Sequence, residues 1–400
     1  MNRWFVVIAA CFLQMVLGAV YTWSLFNAPL VEKFGWDRAD VVFTFSVTMV
    51  SFTIAVLLAG RIQDKLKPRN VAVVGGIVAG IGVFLASQST SVLGMYLTYG
   101  LITGLGMGAV YVVPVATCAK WFPERRGFVT GLNLAFVGVG GMVLKPIIVA
   151  LILAVGVSES FMYLGVAYGT VLAVASLFMV QPPAGYTGPP GWTPPKPAAG
   201  AKVVQSAKQY LPSEMVKTMQ FWVITAIYFF GAAAGLMVIA VAANIGIELV
   251  GLDLAAAGNA VVTISLFNAL GRFSWGAISD KIGRQQSLSV MCLGFVAVML
   301  FMSLVPMTYV TYLLATCLVG FCFGGYLSIT PSVVADWFGT ANVGNNYGLV
   351  FLAYGVAAFF APRFSVTVGF STAFMTAAVL TAIGAVLAFT VKPPKQEEAA

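Results

Sequence analysis

The chain has 400 residues, 60% of them hydrophobic and 8% charged, with a mean hydropathy of +0.96. A soluble domain carries about 25% charged residues, so this composition excludes a soluble globule and indicates a protein that crosses a membrane many times. The net charge of +8 does not argue for a nucleic-acid partner, because the lysines and arginines sit in short loops between apolar runs.

Twelve apolar runs are long enough to span as helices: 4–26, 41–60, 70–88, 92–117, 128–155, 161–180, 221–244, 256–277, 286–304, 309–334, 346–368 and 370–391. The first run is long enough to span and lacks a small-residue cleavage pattern, so it reads as a span and not as a signal peptide. Between the sixth and seventh runs, residues 181–220 carry PPAGYTGPPGWTPPKP and then lysines and serines. That proline density excludes a span and reads as an extended linker. The expected organisation is a six-helix bundle over 1–180, a cytoplasmic linker over 181–220, and a second six-helix bundle with a short tail over 221–400.

Orientation follows from the basic residues. With the N-terminus inside, sixteen lysines and arginines fall in inside loops, and two, Lys33 and Arg38, fall outside. Lys145, Arg272 and Arg363 lie within the runs. Both termini are therefore expected in the cytoplasm, with the chain in the cytoplasmic membrane.

The two halves also read as a repeat. Gly35 and Asp37 match Gly251 and Asp253, 216 positions on. At the same offset Gly60 and Asp64 match Gly276 and Asp280, and Gly104 and Gly108 match Gly320 and Gly324. Trp121-Phe122 match Trp337-Phe338, and Pro146 matches Pro362. Two parallel six-helix repeats place a substrate site near the bilayer midplane, between halves that rock against each other. The glycine rows are expected to let helices pack closely.

Arg272 is the only charged residue between Asp253 and Asp280. A charge inside a span costs about 2.5–3.5 kcal/mol on insertion scales and is by default a functional-site hypothesis. No acidic residue within a span can pair with it, so a substrate anion is the expected partner. The bland alternative is a cation snorkelling to the interface. Asn268 lies one turn earlier on the same face. Lys145 is the only charge between Arg126 and Glu159. It reads either as a second cation facing the substrate, or one that titrates during the cycle, or as a lysine reaching outward to the interface. Arg363, near the outer end of its run, reads as an interfacial cation.

The turn after the second run is Gly60-Arg-Ile-Gln-Asp64-Lys65-Leu-Lys67-Pro-Arg69; after the eighth it is Gly276-Ala-Ile-Ser-Asp280-Lys281-Ile-Gly283-Arg284. This pair resembles the signature turn of the major facilitator superfamily, with Lys67 where glycine is usual. The order Gly18-Ala-Val-Tyr21-Thr-Trp23-Ser, Pro212-Ser-Glu214-Met215, Gln220-Phe221-Trp222, Phe267-Asn268 and Asn346-Tyr347-Gly348 further resembles the oxalate/formate antiporter family, which is related to the monocarboxylate porters.

The resemblance implies an all-α integral membrane protein with twelve transmembrane helices and the major facilitator fold. It implies a gate latch at Gly60, Asp64, Gly276, Asp280 and Arg284, and a substrate carboxylate on Arg272. It also implies an aromatic cage at Tyr21, Tyr111, Phe323 and Phe351. Two further cage positions are Val137 and Leu327, with Tyr326 adjacent as a replacement. A lysine of the family's eleventh helix is replaced here by Tyr354. The expected function is secondary transport of small organic carboxylates by anion exchange, with proton-coupled monocarboxylate symport as the alternative. The expected partners are the carboxylate, protons under the symport reading, and the lipid bilayer. No cofactor, metal or nucleic acid is expected, and the chain is expected to work as a monomer.

Other classes fit less well. The five cysteines form no CxxC pair and there is no histidine, so neither a zinc site nor the commonest general base is indicated. Paired carboxylates and a nucleophile–base pair are missing, which argues against an enzyme. No GxxxxGK[ST] motif points to ATP-driven transport. A transporter-like sensor is expected to carry a larger cytoplasmic domain.

Overall fold

The computed structural model describes residues 3–62, 66–122, 126–183, 186, 209–339 and 342–394. All regular structure among them is helical. Among the described residues, twelve helical segments are long and apolar enough to cross a membrane. In the first half these are α1 (Arg3–Thr22), α2 (Arg38–Ala59), α3 (Pro68–Ala86), α4 (Val92–Cys118), α5 (Gly131–Val155) and α6 (Val157–Ser176). In the second half they are α7 (Met219–Val250), α8 (Leu254–Ser279), α9 (Arg284–Leu304), α10 (Tyr309–Phe338), α11 (Asn345–Val368) and α12 (Phe370–Thr390). Hydrocarbon offers no partner for backbone N–H and C=O groups, so apolar runs of this length satisfy them internally as helices.

The spans match the expected runs one for one. Two run further than expected. After Leu17 the chain passes through a 3-10 turn, Gly18–Thr22, and continues as a helix over Ser24–Phe34. Helix α7 likewise continues to Val250. Both extended helices end on a left-handed glycine, Gly35 at φ 66° and Gly251 at φ 75°. These two are repeat partners, and only glycine adopts that conformation at no steric cost.

The repeat is equally visible in packing. A Cβ on Gly104 would lie 2.5 Å from the Thr48 carbonyl oxygen, and one on Gly320 would lie 2.5 Å from that of Ile264. One on Gly108 would lie 2.3 Å from the Phe52 carbonyl, and one on Gly324 would lie 2.2 Å from that of Asn268. Thr48 and Ile264 are themselves 216 apart, as are Phe52 and Asn268. Helix α4 therefore presses on α2 as α10 presses on α8, and no side chain fits between them.

Helix α7 is kinked at Val241 (φ −126°, ψ 18°). Two carbonyls flanking the kink find side-chain donors. Asn27 donates to Ala240 at 2.9 Å, and the Tyr312 hydroxyl donates to Ala242 at 2.6 Å. Asn27 belongs to the first half, so it ties the kink across the molecule.

Because the number of spans is even, both chain ends lie on one face, called here the terminal face. Polar contacts between the halves gather toward the opposite face. Arg38 pairs with Glu248. Arg363 pairs with Asp40 at 3.1 Å, so its charge is held by a partner and does not stand alone at the interface. Asn27 donates to Asn244 at 2.9 Å, and Lys145 donates to Asn259 at 3.1 Å. Helices α5 and α8 touch near their middles, where a Cβ on Gly138 would lie 2.4 Å from the Ser265 carbonyl. Toward the terminal face, Cβ atoms on Gly131 or Gly276 would meet nothing within 4 Å among the described residues. The close helix approach expected at Gly276 is thus not seen in this arrangement, in which the halves meet at the opposite face.

The linker ends are anchored. Tyr186 accepts from Arg3 and donates to the Trp121 carbonyl. The Tyr210 N–H donates to Phe338, and its carbonyl accepts from Asn342 and Asn346. Of the expected latch, Arg284 binds Ser279 and pairs with Asp336 at 3.2 Å, joining the start of α9 to the end of α10. Asp64 lies outside the described residues, as do the side chain of Asp280 and the surroundings of Gly60.

Candidate functional site

Midway along the spans, a small cavity of about 30 Å³ separates the two halves. The first half contributes Leu17, Val20 and Tyr21 from α1, Met49 and Phe52 from α2, Tyr111 from α4, and Val137 from α5. The second contributes Arg272 from α8, Leu327 from α10, and Phe351 and Tyr354 from α11. Tyr111 and Leu327 are repeat partners, so equivalent positions of the two halves face one space. Arg272 is the only charged group in this wall.

Arg272 is 7% exposed. Its Nε donates to Asn268 Oδ1 at 3.0 Å, and Nη2 donates to the Tyr21 hydroxyl at 3.4 Å. Tyr21 in turn donates to Asn268 Oδ1 at 3.1 Å. Arg272 and Tyr21 both need an acceptor from Asn268, which fixes its carbonyl oxygen toward them and turns its amide nitrogen away. Nη1 of Arg272 and Nδ2 of Asn268 are buried donors that make no close hydrogen bond, and the Tyr111 hydroxyl also faces the guanidinium. Buried polar groups are normally paired, and an unpaired donor on a charged group is costly. An ionised carboxylate has two oxygens that only accept. It is the chemical complement of the spare guanidinium donor, while Asn268, whose oxygen orients the guanidinium, is not among the lining residues.

The geometry brings together much of the expected cage, though not all of it. Tyr21, Tyr111, Phe351 and Tyr354 line the cavity. Phe351 and Tyr354 stack at 5.0 Å, and the Tyr354 hydroxyl contacts Met49 Sδ of the other half at 3.7 Å. Phe323 stands behind Tyr354, with ring centroids 6.3 Å apart, and packs on Gly235, so it supports the wall without forming it. Tyr326 turns away. Its hydroxyl meets Cys292 Sγ at 2.7 Å, and its ring packs on Gly231. The replacement expected from it is not seen, because one residue along a helix rotates the side chain by about 100° from Leu327.

Lys145 is not among the lining residues. Its ammonium is bonded to Asn259, which itself donates to the Tyr309 hydroxyl at 2.7 Å. Its stem passes Gly258. Met49, Phe52, Leu17 and Val20 were not singled out by the sequence. The repeat carried a signal for one of them: Phe52 is the partner of Asn268.

The family model for the Major Facilitator Superfamily matches residues 4–362, with a second match over 227–400. The chain is 33% identical over 362 residues to the uncharacterized MFS-type transporter YhjX of Escherichia coli (strain K12), covering 89% of this chain and 85% of that one. It is 30% identical over 393 residues to the oxalate:formate antiporter of Oxalobacter formigenes, covering 97% and 90%. A shorter match, 30% identical over 145 residues, is to monocarboxylate transporter 13 of Rattus norvegicus, covering 36% of this chain and 34% of that one. With twelve spans in two six-helix repeats and these relatives, the chain belongs to the Major Facilitator Superfamily and, within it, to the family of the oxalate:formate antiporter.

Proposed function

We propose that this membrane transporter carries small organic carboxylates by alternating access and exchanges one anion for another. The observation that carries the reading is the buried guanidinium of Arg272 in the wall of a cavity between the halves, with its Nη1 making no hydrogen bond. The planar guanidinium fork suits a carboxylate better than a point charge does. Tyr21 and Asn268 hold the fork in place, while Phe351 and Tyr354 exclude water from it. Similarity to an oxalate:formate antiporter supports exchange.

In this proposal the moving bodies are residues 1–180 and 221–400, joined by the linker 181–220, and the terminal face is cytoplasmic in an inner membrane. The arrangement described here then closes the outer side, through Arg38–Glu248, Arg363–Asp40, Asn27–Asn244 and Lys145–Asn259. Opening outward breaks these contacts. The latch residues Gly60, Asp64, Gly276, Asp280 and Arg284 act on the cytoplasmic side when that side closes.

Proton-coupled monocarboxylate symport is the second reading. One observation favours it: the cavity wall holds a single cation, which balances one carboxylate and not two. The similarity to a monocarboxylate transporter points the same way. Labelled oxalate, formate or lactate entering proteoliposomes distinguishes the readings. Exchange requires an internal anion and ignores an imposed pH gradient. Symport fills empty vesicles and rises with an inward proton gradient. Absence of entry for all three anions under both conditions removes the carboxylate reading.

A further inference from the structure

A second cavity is larger than the one at Arg272. It is a groove of about 520 Å³ on the lipid-facing surface, between α7, α11 and α12, and Phe43 of α2 closes one side. Its wall is apolar, formed by residues such as Phe230, Ala233, Phe360 and Ala377. The hydroxyls in the wall are already used. Thr367 donates to the Arg363 carbonyl of its own helix at 2.9 Å, and Thr376 donates to that of Thr372 at 2.8 Å. The hydroxyls of the wall therefore offer no spare donor to an anion, and Arg363 is the one charged residue among the lining residues.

One ion pair stands at its rim, Arg363 with Asp40. Arg363 lies five residues before Val368, the end of α11, which places it about 7.5 Å from the helix end at 1.5 Å per residue. That is near headgroup depth. Its guanidinium lies 5.0 Å over the Phe43 ring and reaches Asp40 at 3.1 Å through Nη2, while the residue stays partly exposed. A long alkyl chain filling an apolar groove gains dispersion contacts along its whole length. A phosphate held at the rim adds a charge-assisted hydrogen bond to the guanidinium.

We propose that this groove binds one phospholipid with an anionic headgroup, its acyl chain in the groove and its phosphate at Arg363. The groove straddles both halves. Phe43 comes from α2, and its ring meets Phe359 of α11 edge-on at 5.1 Å. Separating the halves at this face removes that wall. The lipid therefore binds the arrangement described here more tightly than one opened at this face, and favours it by that difference in affinity.

The test is native mass spectrometry of the full chain in detergent, titrated with phosphatidylglycerol or phosphatidylcholine of matched chains. One retained lipid is expected, with phosphatidylglycerol preferred roughly twofold to fivefold, the upper value being what one basic side chain confers near an anionic lipid and the pairing with Asp40 lowering it. Arg363→Gln is expected to abolish the headgroup preference and keep a weaker adduct. Ala377→Phe, which fills the groove, is expected to lose the adduct. Unchanged adducts and unchanged preference in both variants would overturn the proposal. A second measurement needs no variant. Wild-type protein is photolysed with phosphatidylglycerol carrying an acyl-chain diazirine, and cross-links are expected in 229–237 and 359–380. Labels spread evenly around the helical belt would also overturn it.

Discussion

Arg272 and Lys145 look alike in the sequence, each a lone cation inside a membrane-length apolar run. The structure gives them different surroundings. Arg272 is buried in the cavity wall, held by Asn268 and Tyr21, with one nitrogen left over. Lys145 is only partly buried, stands clear of the cavity, and donates to an asparagine of the other half. A charge that retains an unpaired donor in a buried cavity is available to a substrate. A charge already bonded across the halves is available for holding them together. What separates the two cations is thus the partner each has acquired, which a lone charge in a sequence does not display, and the proposed roles of substrate binding for Arg272 and closing contact for Lys145 rest on that difference.

The strongest way to break this comparison is at Arg272. Arg272→Lys keeps the charge and loses the fork. Exchange of labelled carboxylate is expected to fall by about 10- to 100-fold, the range for a charge-assisted hydrogen bond lost in a buried site. Wild-type rates in this variant would remove Arg272 from the site. Asn268→Asp sharpens the same point by supplying an internal counter-ion. Ionised, that carboxylate occupies the guanidinium and competes with substrate; protonated, it does not. Uptake is therefore expected to be weak at neutral pH and to recover as pH falls, whereas a pH-independent loss would mean that Asn268 acts only by packing.

The glycine pair gives a controlled contrast of intermediate size. Gly324→Ala and Gly108→Ala each drive a methyl into a backbone carbonyl at equivalent places. Both are expected to lower stability, by about 1–3 kcal/mol as overpacking does. Gly324→Ala pushes on Asn268, which holds Arg272, so it is expected to raise the KM for the anion more than Gly108→Ala, which pushes on the cavity-lining Phe52. Equal KM changes in the two variants would contradict this. Lys145→Gln carries the smallest effect. It is expected to leave KM within about twofold while changing the turnover rate, because it weakens a partly exposed closing contact worth no more than about 1 kcal/mol. A large change in KM would return Lys145 to the substrate site.

Most of the fold was legible in the sequence, for physical reasons. Hydrocarbon permits few spanning structures, so twelve apolar runs became twelve helices. The offset of 216 proved to be a packing rule, since Gly104 and Gly320, like Gly108 and Gly324, touch partners separated by that same number. Arg272 and Asn268 could be placed on one face from helical geometry alone. The rest depended on contacts between distant segments. Nothing local in the run around Lys145 indicates Asn259. Tyr326 and Leu327 are neighbours in sequence, yet only the second reaches the cavity, because the turn of α10 decides it. Met49 and Leu17 are ordinary apolar residues that become a wall only when α1 and α2 meet the other half. The continuation of the chain as helix to Phe34 was hidden because residues 27–34 carry Asn27, Pro29, Glu32 and Lys33, which end the apolar run at 26.

The central claim is that the guanidinium of Arg272 holds a carboxylate. The most direct measurement is the thermal stability of the purified protein as oxalate, formate or lactate is added, for wild type, Arg272→Lys and Lys145→Gln together. A ligand that binds the folded state raises stability with concentration. The account predicts a concentration-dependent rise with at least one anion in wild type and Lys145→Gln, and none in Arg272→Lys. The same rise in all three proteins would contradict it.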